Sequence, residues 1–227
     1  MIFLRSLLFA VLLVAITVPY GTIAPLFRPL PPLQRYRAVS YWWRAVVWLA
    51  RVVLGIRYRV EGLEHLPQGP CVVLAKHQSA WETLAFPTFM PPLAYVLKKE
   101  LLRIPFFGWG LAMASPIAID RAAGRQALHI LEREGRDRLA KGFWVVVFPE
   151  GARMPPGQKG RYNVGGAWLA VKAGVPVLPV AHNAGRLWGR RAFLKRPGLV
   201  TVVIGPPIPT VGREPAEVMA EVETWIE

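Results

Sequence analysis

A histidine and an acidic residue five positions apart, His77 and Glu82, stand directly after the apolar run CVVLA (71–75). Imidazole has a reference pKa of ~6.5, so it can be a neutral base at cellular pH. A carboxylate on one ring nitrogen fixes the tautomer, leaves the other nitrogen to take a proton, and stabilises the imidazolium that forms. On a continuous helix five residues turn through about 500°, which points two side chains ~140° apart. The pair therefore meets only if His77 lies in a loop and Glu82 in the first turn of a helix. Ser79 supplies the break, as a good N-cap with Glu82 three residues on. The same residues carry a second reading. S-A-W-E is a capping box, in which Glu82 returns to the Ser79 backbone N–H. On spacing alone the two readings weigh equally, and they are compatible, because a carboxylate has two oxygens and can accept from both partners.

No nucleophile accompanies the histidine. G-x-S-x-G is absent, the single cysteine, Cys71, lies inside the apolar run, and Ser79 is wanted as a cap. The base should therefore act on a hydroxyl that a substrate brings. A second group, FPEGAR (148–153), follows the run WVVV. Pro149 ends a strand, and Gly151 lets the backbone approach a ligand closely. Arg153 offers a planar fork of donors suited to a phosphate, and Glu150 could hold that arginine or a substrate hydroxyl. A plain strand-to-loop turn with an exposed arginine explains this block equally well. His182 follows VPVLPVA at a strand's carboxyl end, where it would border a site; His65 reads as a turn residue and His129 as a helix residue. There is no H-E-x-x-H pattern or other metal-ligand cluster.

KHQSAWE (76–82), PIAIDR (116–121), FPEGAR and VPVLPVA (175–181) stand in the order and approximate spacing of four blocks of the glycerolipid acyltransferase family. KKELLRIPFFGWGL (98–111) matches the stretch between the first two. Over roughly residues 55–210 the chain resembles this family, and most of all its 1-acylglycerol-3-phosphate (lysophosphatidate) O-acyltransferase members. The resemblance implies transfer of a fatty acyl group from acyl-CoA or acyl-carrier protein to the free hydroxyl of lysophosphatidate, giving phosphatidate. It implies His77 as general base, Glu82 as its acidic partner and Arg121 as a phosphate ligand. Glu150, Gly151 and Arg153 would shape the glycerol-phosphate site, Pro179 would line the acyl-donor side, and Lys98 or Lys99 would add charge near the phosphate. No metal and no tightly held cofactor is implied. Three positions depart from the pattern: Lys76 replaces the usual Asn, Glu82 the usual Asp, and Ala152 the usual Thr. These changes leave the reaction class intact and bear on the acceptor, so another lysolipid or an amine acceptor is the alternative.

Ligands of α/β sheets collect outside the carboxyl ends of strands, so both blocks require a sheet behind them. From about Gly55 the chain supplies one. Short Val/Ile-rich runs predict strands at 56–60, 71–75, 94–98, 116–120, 144–148, 175–181 and 199–205. Helical patterns fall near 80–90, 123–140, 163–173 and 214–226. The alternation argues for an α/β domain over 55–227, a mostly parallel central sheet flanked by helices. The basic run GRLWGRRAFLKRPG (185–198) reads as a loop facing a membrane or a phosphate, or as a solvated connection.

Residues 1–54 have another texture, that of a membrane-associated helical pair with a Pro-rich link. IFLRSLLFAVLLVAITV (2–18) reads as an apolar helix that Pro19 and Gly21 end near Val18. Its rise of roughly 25 Å is slightly short of a ~30 Å hydrocarbon core. A full span and a helix that dips in and returns both fit; a cleaved signal peptide fits less well, because VPYGTIAP is a poor cleavage site. In RAVSYWWRAVVWLARVVLGI (37–56), Arg37, Arg44 and Arg51 share one helix face amid Trp and aliphatic residues. That suits a membrane interface, with a soluble helix on the domain core as the plainer reading. A formal net charge of +14 favours an anionic partner, whether nucleic acid, anionic lipid headgroups or a phosphorylated substrate, and charge alone does not choose among them. No nucleic-acid motif accompanies it, so a basic non-catalytic nucleic-acid or membrane binder is the weaker rival. One cysteine excludes a disulfide framework. The positive charge after the first helix predicts a domain on the cytoplasmic side if that helix inserts, and with the resemblance to bacterial members the expected place is the cytoplasmic face of a bacterial inner membrane.

Overall fold

The computed structural model describes the backbone of residues 1–227 and every side chain except that of Arg121. Each predicted strand forms, within two residues of its expected ends: β1 (Ile56–Glu61), β2 (Val72–Ala75), β3 (Leu93–Lys98), β4 (Ile117–Ile119), β5 (Trp144–Val147), β6 (Val177–His182) and β7 (Gly198–Ile204). They make one sheet in the order β1-β7-β6-β2-β5-β3-β4. The five strands from β6 to β4 are parallel; β7 runs against β6, and β1 lies parallel to β7. β6 and β7 are joined by the loop 183–197, which holds one short helical turn and no crossover helix to carry the chain back along the sheet, and β7 lies antiparallel to β6. β2 sits between β5 and β6, with Val73 opposite Val146 and Leu178, so the loops after these three strands open at one edge.

The helices are α1 (Ile2–Ile23), α2 (Pro32–Leu49, continued by a π turn over Ala50–Leu54), α3 (Trp81–Ala85), α4 (Phe107–Met113), α5 (Arg125–Ala140), α6 (Gly165–Ala173) and α7 (Pro215–Ile226). Alternate residues of the strands bury against different layers. Val73, Val146, Leu178 and Val180 pack with Phe9 of α1, Val46 and Leu49 of α2, and Trp81 of α3. Val72, Leu74, Val145 and Val177 pack with Leu131 of α5, Leu169 of α6 and Val218 of α7. Burial on both faces explains the unbroken Val/Ile runs.

The two N-terminal helices share the sheet's core. Phe9 is fully buried edge-on to Trp188, a burial worth about 1.5–3 kcal/mol. One stripe of α1, through Ser6, Phe9 and Gly21, is buried, while Leu7, Leu8, Val11, Val14 and Val18 remain exposed. The segment Ile2–Phe27 is long and apolar enough to cross a membrane by length and composition.

The expected stop near Val18 does not occur: α1 continues through Pro19 and Gly21 to Ile23. An interior proline costs roughly 3 kcal/mol through its missing N–H and its ring clash. Tertiary contacts offset that cost. Trp42 Nε1 donates to Thr17 Oγ1 at 3.1 Å, and the Tyr20 hydroxyl donates to the Ala38 carbonyl. Gly21 lets the Phe106 carbonyl come so close that a Cβ would lie 2.2 Å from its oxygen. On α2, Arg37, Arg44 and Arg51 are all exposed, interleaved with exposed Tyr41 and Trp48. α4 has no counterpart among the predicted helices.

Candidate active site

The turn after β2 brings His77 onto Glu82 at the start of α3. His77 Nδ1 lies 2.9 Å from Glu82 Oε1, and the same oxygen accepts the backbone N–H of Gln78 at 3.0 Å and of Ser79 at 2.8 Å. Ser79 Oγ in turn accepts from Trp81 N. Capping box and histidine–carboxylate pair therefore coexist, and they do so on one oxygen rather than shared between two. Glu82 is fully buried, and its Oε2 has no hydrogen-bond partner among the described residues. Burial alone would raise this carboxyl; the His77 bond and the Ser79 N–H hold it below its ordinary value. An ionised carboxylate only accepts, so Nδ1 carries the hydrogen and Nε2 is the bare basic nitrogen. No described group bonds to that Nε2, and the side chain is 14% exposed.

The FPEG turn holds the histidine in place. Glu150 Oε2 accepts the His77 backbone N–H at 2.9 Å, Met154 N donates to the His77 carbonyl at 2.7 Å, and the Phe148 ring stacks on the imidazole at 4.0 Å. Glu150 Oε1 takes the Gly160 N–H at 3.2 Å and the Lys76 ammonium at 2.8 Å. Glu150 is thus buried and committed to the protein; it holds neither Arg153 nor open space for a substrate hydroxyl. Its donors are the His77 and Gly160 backbone N–H groups and Lys76, so both oxygens are satisfied within the protein. Lys76 also meets the Glu227 carboxylate and the Gln158 carbonyl, so the residue in place of the usual Asn joins three segments. Gly151, with φ of 69°, makes the left-handed turn that carries the chain from Glu150 to Arg153.

His182 is closer to the chemistry than its sequence position suggested. Its Nε2 donates to the Lys76 carbonyl at 2.8 Å, its Nδ1 accepts from Ala184 N at 3.2 Å, and Nε2 lies 3.8 Å from Glu82 Oε1. That bonding pattern belongs to a neutral ring. Burial, the main influence, presses its pKa below the usual histidine value. A histidine at the carboxyl end of a buried strand was the only signal in the sequence.

Arg153 is partly exposed, and its guanidinium makes no hydrogen bond or ion pair with the described residues. Burial lowers its pKa; the charge of Glu82 opposes this and the neighbouring Arg190 adds to it. Arg190, in the loop between β6 and β7, donates to the Arg153 carbonyl at 3.4 Å. Two neighbouring arginines, neither in an ion pair with the described residues, make a place for an anion. The sequence marked the loop that carries Arg190 but not the residue. At the end of β3, Lys98 is exposed, while Lys99 is paired with Asp120 Oδ2 at 2.5 Å. Arg121 follows Asp120; its side chain lies outside the described residues. Pro179 is buried in β6 opposite Leu74, and by strand alternation it faces away from the layer that holds His182. Beside Gly151 an apolar recess of about 270 Å³ opens, lined by Val96, Ile119, Leu128, Leu131 and Phe148.

The comparisons with known proteins bear on this geometry. Residues 57–183 match the model of the family described as Acyltransferase, a span that holds His77, Glu82, Glu150, Arg153 and His182. The chain is 49% identical to a 1-acyl-sn-glycerol-3-phosphate acyltransferase of Pseudomonas aeruginosa, over 98% of this chain and 89% of that protein. It is 31% identical to the human 1-acyl-sn-glycerol-3-phosphate acyltransferase alpha, over 75% of this chain and 61% of that one. Among solved structures it is similar to the 1-acyl-sn-glycerophosphate (LPA) acyltransferase PlsC of Thermotoga maritima, with TM-score 0.80 and 27% identity over 98% of this chain and 92% of that one.

Proposed function

This chain belongs to the acyltransferase family, and from that premise we propose that it acylates the free hydroxyl of 1-acylglycerol 3-phosphate from an acyl thioester, with His77 as general base. The observation that carries the reading is the His77–Glu82 pair, whose Nδ1 is engaged at 2.9 Å while Nε2 stays unbonded at the carboxyl edge of the sheet. The acceptor hydroxyl gives its proton to Nε2 as its oxygen attacks the thioester carbonyl. The tetrahedral intermediate collapses to the new ester and expels the thiolate. The imidazolium then returns its proton to the thiolate, so the products are phosphatidate and a free thiol, and the base is restored. Glu82 stabilises the imidazolium in between. Arg153 and Arg190 hold the acceptor's phosphate and so place the hydroxyl, which converts an encounter into a positioned reaction. The donor is acyl-CoA or acyl-carrier protein, the recess beside Gly151 takes its acyl chain, and no metal or resident cofactor enters these steps.

Both lipids are amphiphiles, and the exposed apolar stripe of α1 supports seating in a membrane. We place the domain on the cytoplasmic face because basic residues follow the helix. The test is a reconstituted assay: purified protein, acyl-CoA and lysophosphatidate, with phosphatidate and thiol released in equal amounts. His77→Ala is expected to abolish transfer with the fold retained. Turnover near wild type in that variant would remove the mechanism.

A further inference from the structure

We propose that the loop from Arg186 to Pro197, between β6 and β7, is a lip that seats on an anionic lipid bilayer. Phe193 and Leu194 enter among the lipids, and Arg191 and Arg196 bind lipid phosphates. The proposal rests on the reading of α1 as membrane-seated and assigns the second element of that contact.

The loop is docked on α1. Lys195 N donates to Ser6 Oγ at 3.0 Å, and the Phe193 ring meets the Phe3 ring at 5.7 Å. The Lys195 ammonium is buried against the rings of Trp188, Phe9 and Phe193, with centroids 4.9, 5.6 and 5.9 Å away, and it bonds the Phe193 carbonyl at 3.0 Å. Phe193 and Leu194 are left 46% and 51% exposed, continuous with exposed Phe3 and Leu4 at the start of α1. Where α1 goes, these two side chains go with it. Apolar residues flanked by arginines are the composition of a surface that lies at headgroup depth.

Charge selects the occupant. No Asp or Glu occurs before Glu61 or between Glu150 and Glu214, so α1, α2 and the whole lip are free of acidic residues. Arg186, Arg190, Arg191 and Arg196 are exposed along one loop. A surface of this kind meets a negative leaflet without a repulsive group. The lip also reaches the candidate site, because Arg190 contacts the Arg153 carbonyl. Seating the lip therefore holds the phosphate-binding arginines at the level where a lysolipid headgroup lies.

Site-directed spin labelling tests this, since the single native cysteine, Cys71, is buried. Nitroxides are placed through Phe193→Cys and Leu194→Cys on the lip, Val11→Cys on the exposed face of α1, and Arg136→Cys on α5 across the sheet. Power-saturation depth is read in vesicles of phosphatidylcholine and phosphatidylglycerol. The expected result is oxygen-rich, lipid-depth signals at 193, 194 and 11 and a water signal at 136. Lipid depth at 11 with water at 193 and 194 overturns the lip while leaving the membrane reading of α1 intact. Water at all four positions overturns both.

Discussion

Replacing Glu82 by Gln asks how much of the catalysis comes from one buried charge. The amide is nearly isosteric, and its oxygen can still accept from Gln78 N, Ser79 N and His77 Nδ1, which now converge at 2.8–3.0 Å. What disappears is the attraction between carboxylate and imidazolium in the transition state. With charge centres ~4 Å apart and an effective dielectric of about 20, that attraction is about 4 kcal/mol. At about 1.36 kcal/mol per tenfold, kcat should fall roughly 10³-fold. The acceptor KM should barely change, because Arg153 and Arg190 are untouched. Thiol release at saturating acyl-CoA, with lysophosphatidate varied, measures both constants. The new amide NH₂ takes the position of Oε2, which has no partner among the described residues, so a stability loss of about 1–3 kcal/mol accompanies it. A thermal melt must therefore show the variant folded at the assay temperature. A folded Glu82→Gln variant with kcat within tenfold of wild type would refute the electrostatic role. A large rise in KM with kcat unchanged would equally do so, by moving Glu82 from chemistry to binding.

Arg153→Ala should raise the acceptor KM about 10- to 100-fold, the loss of charge-assisted hydrogen bonds worth roughly 1.5–3 kcal/mol; exposed Arg190→Ala should cost only a few-fold, less still in high salt, and an unchanged KM in both would discard the phosphate site. His182→Leu frees the Lys76 carbonyl beside His77 and should lower kcat with little change in KM, whereas His182→Gln, which keeps a donor, should recover most of the loss; equal defects in the two would argue against positioning through that bond. The Glu82 carboxyl lies below its ordinary value of 4.5 when folded, so its contribution to stability is present above that pH and is lost as the pH falls through the lower, folded value. Urea unfolding of wild type against Glu82→Gln should accordingly show a difference that shifts in favour of the substituted protein on acidification below about pH 4.5; a pH-independent difference would contradict the assignment. Gly21→Leu would drive a side chain into the Phe106 carbonyl and should cost about 1–3 kcal/mol by overpacking, seen as a lower Tm and faster tryptic cleavage at Arg28; an unaltered digest would mean that α1 is not held there.

What the sequence determined by itself is what neighbours along the chain decide. Val/Ile runs such as WVVV mark strands buried on both faces, because burial on both sides removes the polar alternation. Ser79 followed by Glu82 marks a helix start, because capping is a contact over three residues; the meeting of His77 with Glu82 across five residues follows from that local break in direction. Local chemistry misleads where packing overrules it: Pro19 and Gly21 look like a helix end until α2 and the Phe106 carbonyl are set against them. Only the tertiary structure decided the rest. That Glu150 serves the His77 backbone, that His182 braces the Lys76 carbonyl, and that Arg190 stands beside Arg153 all depend on β2 lying between β5 and β6. Those pairs are separated by tens of residues, and nothing in a chain's local chemistry says which strands will be neighbours. Strand order is set by how the whole chain buries its apolar surface, and the side chains at the strand ends find their partners only after that choice is made.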